Sequence, residues 1–453
     1  MKGPMRIEFT KISILIFLLA TMSCSDDKLD IDAALDNELY DKIASVSPNG
    51  EANYYSLPNT NQYDLIPQDV KNPMTSAKVK LGKFLFFETG IALDAQKPSG
   101  MGTYSCSSCH VPEAGFRPGR MQGIADGGMG FGEIGDHRIM NDDYTESDLD
   151  VQSARPLSLV NVAYVKNTFW NGQFGGGGAN EGTEHLWSLR DDTKRNHLGY
   201  EALETQNIEG INAHRLLVNK EITDEFGYTQ LFDESFSEYG EQFRYSNFTA
   251  SLAMSAYLRS IISYDAPFQH WLKGNDDAMT NDEKKGALLF FGKAKCASCH
   301  YNQNLGSNEF HALGVNDMDQ HIDALDKNPN DRRNYGRGGF TMKEEDMYKF
   351  KVPGIYNMKD TPFYFHGSSK TSLKDVIEYK LNAEPENIRV SKNKMSYKLV
   401  KTTLTDTEKD QLISFLENAL RDPSLERYKP DFVGSGLCYP NNDVVSQIDL
   451  GCN

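Results

Sequence analysis

The chain has 453 residues, enough for two or three domains. Hydrophobic residues make up 39% and charged residues 25%, which fits a globular chain and excludes a disordered one. A formal charge of −17 argues against nucleic acid as a partner and suits either a basic protein partner or a simple solvated acidic surface.

Lys2, Arg6 and Lys11 accompany an apolar run from Ile12 to Ala20. That run is short for a bilayer span and reads as an export leader. It ends in Thr21-Met22-Ser23-Cys24, which has the form of a relaxed bacterial lipobox. Residues 1–23 are therefore expected to be a lipoprotein signal peptide. Cys24 would carry the lipid and hold the exported protein in the periplasm or at the outer membrane. An ordinary cleaved leader is the alternative. Residues 24–60 are polar and acidic and read as a flexible tether.

Order is expected from about residue 61. Val79, Leu81, Phe84, Leu85, Phe86 and Phe87 predict a short buried helix over Thr75 to Phe87. Cys106-Ser107-Ser108-Cys109-His110 follows, and Cys296-Ala297-Ser298-Cys299-His300 repeats it later. Each is C-x-x-C-H, the pattern of covalent c-type haem attachment. Two thiols reach the two vinyl groups of one porphyrin, and the adjacent imidazole turns onto the iron. A redox CxxC or half a zinc site is the bland alternative. The second copy weakens it, as does the lack of a further CxxC at zinc spacing. Two covalently bound c-type haems are expected, with His110 and His300 as proximal ligands.

Lys80-Leu81-Gly82-Lys83-Phe84-Leu85-Phe86-Phe87 precedes the first motif, and Lys284-Lys285-Gly286-Ala287-Leu288-Leu289-Phe290-Phe291 precedes the second. This is an internal repeat. Thr280-Asn281-Asp282-Glu283 and Thr405-Asp406-Thr407-Glu408 are capping boxes that open helices. The second of these helices carries Leu412, Ile413, Phe415, Leu416 and Leu420 on its apolar side, and another candidate runs from Phe248 to Ile262. The expected fold is mainly α: two cytochrome c-type haem domains, 61–265 and 266–453, with long loops. Gly115 to Asp150 is one such loop. The glycine run 175–178 lacks a following GK[ST] and is not a phosphate cradle. Cys438 and Cys452 are suited to a disulfide in an oxidising compartment, with two free thiols as the alternative.

Taken together, these motifs resemble the bacterial di-haem cytochrome c peroxidases and their MauG-type relatives, from about Ile66 to residue 420. Ile66-Pro67, Asn72-Pro73 and Leu81 to Phe87 are similar to the lead-in to the first haem. Arg155-Pro156-Leu157-Ser158-Leu159-Val160-Asn161, Phe169-Trp170-Asn171-Gly172, Phe350 to Asn357 and Pro362 to Ser368 followed by Leu373 are similar to later landmarks. The resemblance implies that peroxide reacts at the first haem and that the second receives electrons. Trp170 would be the relay between them. It implies hydrogen peroxide as substrate and a small cytochrome c or cupredoxin as donor. It also brings an expectation of calcium between the domains, with ligands unassigned, and leaves a homodimer open. The expected activity is reduction of peroxide to water. The alternatives are a MauG-type oxidase acting on an organic or protein substrate, and a non-catalytic electron-transfer protein.

The distal residues depart from the family pattern. In the segment Leu203 to Leu216 the expected glutamate is out of register, and His214 falls closest to its place. An imidazole titrates near neutrality and suits proton shuttling, so His214 is the catalytic candidate, with Glu204 and Glu209 as weaker substitutes and a helix-surface histidine as the bland reading. His137 is a loop histidine that the resemblance would make a resting ligand of the first iron only with a longer loop than usual, an exposed loop histidine being the alternative. At the second haem the family register falls on Lys380. A one-residue shift brings Tyr379 to the metal, and an amine ligand or a vacant position are the alternatives. Arg155 is a candidate propionate partner. His366 is expected to hydrogen-bond near a haem edge.

Overall fold

The computed structural model describes residues 1, 3 and 23–452, and it is mainly helical, with strands of only two residues. The helices that matter here are α1 (Ser23–Val46), α2 (Ser76–Phe87), α3 (Ala202–Ala213), α4 (Asn247–Arg259), α5 (Asn281–Phe291), α6 (Leu373–Asn382), α7 (Asp406–Ser414) and α8 (Val444–Leu450). The expected leader falls almost wholly on residues outside the described ones. Among the described residues, no helix is long and apolar enough to cross a membrane.

The expected tether over 24–60 is corrected by the structure. Its first half is α1, and Leu39 and Ile43, one turn apart, are fully buried. Tyr40 stacks on Trp271 with ring centroids 4.2 Å apart. Asp36 accepts a hydrogen bond from the Trp271 indole at 2.7 Å and pairs with Lys284 of α5 at 2.7 Å. The acidic composition describes the outer face of this helix, whereas the inner stripe is short but well anchored. Beyond α1, Tyr55 and Leu57 also enter the core.

The internal repeat is a repeat of packing. α2 lies across α4, and α5 lies across α7. At each crossing a glycine lets the backbones touch. A Cβ on Gly82 would stand 2.0 Å from the Ala253 carbonyl oxygen, and one on Gly286 would stand 2.0 Å from that of Gln411. Four residues on, Phe86 faces His110 at 6.5 Å, and Phe290 faces His300 at 6.3 Å. Local chemistry fixes where these helices start. Thr75, Thr280 and Thr405 accept from the backbone amides of Lys78, Glu283 and Glu408, satisfying amides that have no partner inside the helix. The expected helix over 248–262 is α4, which stops at Arg259.

The Gly/Asp-rich loop is ordered by one buried cation. Arg138 donates to the carbonyls of Ile124 (2.6 Å), Ala125 (2.9 Å) and Gly130 (3.2 Å). Its remaining partner is Asp443, in the C-terminal segment, at 3.3 Å. Gly128–Met129 (β1) and Ile139–Met140 (β2) pair antiparallel beside it. The C-terminal segment therefore returns from the second half to the first. Asp449 caps the amides of Phe131 and Gly132 at 2.8 Å each. A disulfide joins Cys438 to Cys452. The Pro440 carbonyl accepts from Ser105 (3.0 Å) and Ser108 (3.2 Å), which flank and enter the first CxxCH motif.

Candidate active site

Each CxxCH motif forms one turn of 310 helix at the wall of a large, mostly apolar cavity. The first cavity, about 220 Å³, contains Cys106, Cys109 and His110. The second, about 210 Å³, contains Cys296, Cys299 and His300. None of the four cysteines takes part in a disulfide. Nδ1 of His110 is 3.0 Å from the Phe116 carbonyl, and Nδ1 of His300 is 2.7 Å from that of Leu305. Phe116 and Leu305 both take positive φ, 55° and 50°, to aim those carbonyls back. A proton held on Nδ1 leaves Nε2 free to bind metal. Burial lowers the pKa of His110 to about 4 and that of His300 to about 3, so both imidazoles are neutral and ligand-ready.

The cavities share a wall made by Arg155, Pro156, Leu157, Ser158, Trp170, Lys351, Pro353 and Gly354. Trp170 thus touches both. Its indole donates to the Arg155 carbonyl at 2.6 Å, and its own carbonyl accepts from the Lys351 backbone amide at 2.8 Å. Arg155 is buried, and its guanidinium donates to the carbonyls of Pro118 (2.6 Å), Met121 (3.2 Å) and Arg120, and to Thr361 Oγ1 (2.6 Å). Its Nε and the Lys351 ammonium have no protein acceptor. Buried unpaired donors are costly, and two cationic ones on one wall call for an anion that the protein does not supply. The carboxylates of a haem fit that demand. Together with two thiols, one neutral imidazole and an apolar lining in each cavity, they make the residues suited to the group.

His214 lines the first cavity at the end of α3. Its Nδ1 lies 2.6 Å from Oδ2 of Asp150. Asp150 is itself held by backbone bonds on both sides, to Ala125 and Asp126, at 3.0 Å each. The Asp150 charge raises the His214 pKa against the opposing effect of burial. Gln152 and Arg333 line the same cavity and are joined by a 3.3 Å hydrogen bond. Asp150 was not foreseen from the sequence. It lies 64 residues from His214 in a loop with no periodicity, and nothing local marks it.

The other candidates sort by what they touch. Glu204 is in a buried ion pair with Arg259 at 2.5 Å, and Glu209 pairs with Arg195 at 2.9 Å. Neither lines the cavity. His137 is exposed beside Asp136 and stands away from both cavities. His366 lines the second cavity, stacked on Phe350 at 3.5 Å, with Nε2 2.8 Å from Asp317. Tyr379 is not brought to the second cavity. Its hydroxyl donates to the Leu313 carbonyl at 2.7 Å, and the next residue, Lys380, lines the cavity instead. Among the described residues, Cys299, Glu309 and His311 are close enough to share a metal ion, but the set includes a haem-motif thiol and is not a calcium-type oxygen cage.

A family model described as di-haem cytochrome c peroxidase matches residues 76–277. The chain is similar to the di-haem cytochrome c peroxidases and MauG proteins, and this agrees with the resemblance read from its motifs. It is 26% identical over 364 residues to the methylamine utilization protein MauG of Methylorubrum extorquens, spanning 79% of this chain and 82% of that one. It is 27% identical over 318 residues to the cytochrome c peroxidase Ccp of Escherichia coli, spanning 70% of this chain and 55% of that one. A solved MauG-like protein associated with microbial copper homeostasis superposes with a TM-score of 0.55 at 25% identity, over 82% of this chain and 95% of that one. The mainly α architecture of two cytochrome c-type haem domains is borne out, and the similarity supports a haem oxidoreductase with two haems.

Proposed function

We propose that the chain is a peroxidase that reduces hydrogen peroxide to water in the first cavity, using electrons delivered through the second. The observation that carries this reading is the Asp150–His214 pair, set in the cavity whose wall holds His110. Both haems are attached covalently, through Cys106 and Cys109 and through Cys296 and Cys299, with His110 and His300 as proximal ligands. Bound haem supplies an open iron position and the redox chemistry for cleaving the O–O bond.

The chain's own residues do the rest. Asp150 holds the proton on His214 Nδ1, so Nε2 faces the cavity as an acceptor. Nε2 takes the proton from the near oxygen of peroxide and returns it to the far oxygen, which leaves as water. Two electrons and two further protons complete the second water. The apolar lining keeps bulk water from competing. Trp170, against both cavities, is the relay position between them. Lys351 and Arg155 hold the haem carboxylates. A small cytochrome c or cupredoxin fits as donor, because a basic carrier is drawn to a surface with this net negative charge. Residues 61–265 form the peroxidatic half and 266–453 the electron-entry half, with lipid anchoring at Cys24 and a calcium ion between the halves as further parts of the proposal.

A second reading has its own support. No methionine sits on α6 where it lines the second cavity, and the M. extorquens relative is a MauG. A MauG-type oxidase acting on an organic or protein substrate fits this altered second site. One experiment separates the readings. The haem-loaded protein is reduced by one electron, mixed with peroxide and followed spectrally with and without reduced small cytochrome. Rapid donor oxidation supports the peroxidase. A long-lived oxidised state with poor donor turnover supports the oxidase, and no reaction with peroxide defeats both.

A further inference from the structure

The second cavity holds more nitrogen, oxygen and sulfur donors than one iron needs, and nearly all are committed elsewhere. His311 has both ring nitrogens engaged, with Glu309 at 2.8 Å and Ser396 at 2.9 Å. His366 is tied to Asp317. Tyr364 donates to the Met358 carbonyl at 2.9 Å, and the Met358 sulfur accepts from Arg117 at 3.5 Å. Lys398 is neutralised by Glu309 at 2.6 Å. Three lining lysines remain without a carboxylate partner among the described residues, and one of them, Lys295, is exposed to solvent. Lys351 belongs to the wall shared by both cavities, and Lys380 lines only the second.

The helix register places Lys380 on the inner face. Leu373, Val376, Ile377, Lys380 and Leu381 of α6 all line the cavity, which is the i, i+3, i+4, i+7, i+8 stripe of one helix face. Tyr379 falls off that stripe and is held at Leu313. Lys380 is close enough to Cys296, Cys299 and His300 for its charge to act on all three. Its nearest aromatic neighbour is Phe365, with Nζ 5.7 Å from the ring centre. An ammonium in an apolar cavity with no counter-ion is unfavourable, whereas a neutral amine bound to a metal cation satisfies the same position.

We infer that the side-chain amine of Lys380 is the distal ligand of the second haem iron. The inference rests on the reading that a haem is attached at Cys296 and Cys299. On binding, the ammonium gives up one proton to solvent, and the freed nitrogen lone pair forms the bond to iron. No electron is transferred. The site is then a histidine–amine pair. Relative to a histidine–methionine pair it favours the ferric state and lowers the potential, since a thioether raises it.

The test uses the full chain matured with haem, and its readouts are haem content, low-temperature EPR of the ferric protein and the midpoint potential. Two haems per chain are expected. A single haem overturns both the attachment reading and this inference. With two haems present, Lys380→Ala is expected to remove the low-spin ferric signal of the second haem. Lys380→Met, which preserves length and packing, is expected to shift that signal and raise the potential. Tyr379→Phe and Met358→Leu should leave both unchanged. A low-spin signal that survives unaltered in Lys380→Ala and Lys380→Met overturns the inference alone, as does its loss in Tyr379→Phe or Met358→Leu.

Discussion

Asp150 Oδ2 stands 2.6 Å from His214 Nδ1, joining the long first loop to the end of α3 at the wall of the first cavity. The pair has opposite consequences for stability and for catalysis. A raised His214 pKa means that the ion pair stabilises the fold fully below the unfolded value, about 6.5, and that this contribution fades as pH rises through the folded value. Proton acceptance at Nε2 needs the neutral ring, so turnover rises over the range in which that stabilisation is lost.

His214→Ala is expected to slow peroxide turnover by about 10²–10⁴-fold with both haems retained. Asp150→Asn removes the charge that raises the pKa, so the acid limb of the kcat/KM profile should move to lower pH. The plateau should also fall, because an amide no longer enforces the Nδ1 proton. Asp150→Glu should recover part of both. A pH–rate profile of the three variants checks this, and an unmoved acid limb in Asp150→Asn would contradict the coupling.

Glu204 is near His214 in sequence but does different work. Removing one partner of a buried ion pair leaves the other charge stranded, at about 3–5 kcal/mol. Glu204→Ala is therefore expected to lower unfolding stability by that amount in a denaturant titration by stranding Arg259. Turnover per folded, haem-loaded molecule should stay near the wild-type value, in contrast to His214→Ala.

Gly82 and Gly286 make the same prediction twice. Each faces a carbonyl oxygen that a methyl group would meet at 2.0 Å, and backbone cannot step aside as a side chain does. Gly82→Ala and Gly286→Ala should each destabilise by about 1–3 kcal/mol, measured as a lowered unfolding midpoint. Alanine normally stabilises a helix relative to glycine, so a rise in the midpoint would refute the crossing geometry.

The Cys438–Cys452 disulfide closes a span of 14 residues. Closing a loop of that length contributes about 3 kcal/mol by restricting the unfolded chain. The double variant Cys438→Ser/Cys452→Ser should lose stability on that scale. It should also be cut sooner by protease within 438–452, because the segment is then held by non-covalent contacts alone, among them its hydrogen bonds to Ser105, Ser108, Arg138 and the 131–132 amides.

Local signals carried well from sequence to structure. The three threonine caps act within four residues, and the paired motifs share spacing, so the repeat could be read without tertiary information. Three features resisted reading. The helix α1 was hidden because its exposed acidic face outnumbers Leu39, Tyr40 and Ile43. Asp150 meets His214 only through the fold. Tyr379 and Lys380 differ by one position, and shifting the register toward the aromatic residue overlooked the stripe Leu373, Val376, Ile377, Lys380, Leu381, which was legible.

The Pro440 carbonyl reaches back 335 positions to Ser105. The wall behind the first CxxCH motif is therefore finished only after the whole second half has been synthesised. Until then Cys106 and Cys109 remain approachable from that side, and the second motif has already emerged. If haem is attached there as proposed, the thiols of the first motif are expected to be reached most easily before the returning segment docks on Ser105 and Ser108.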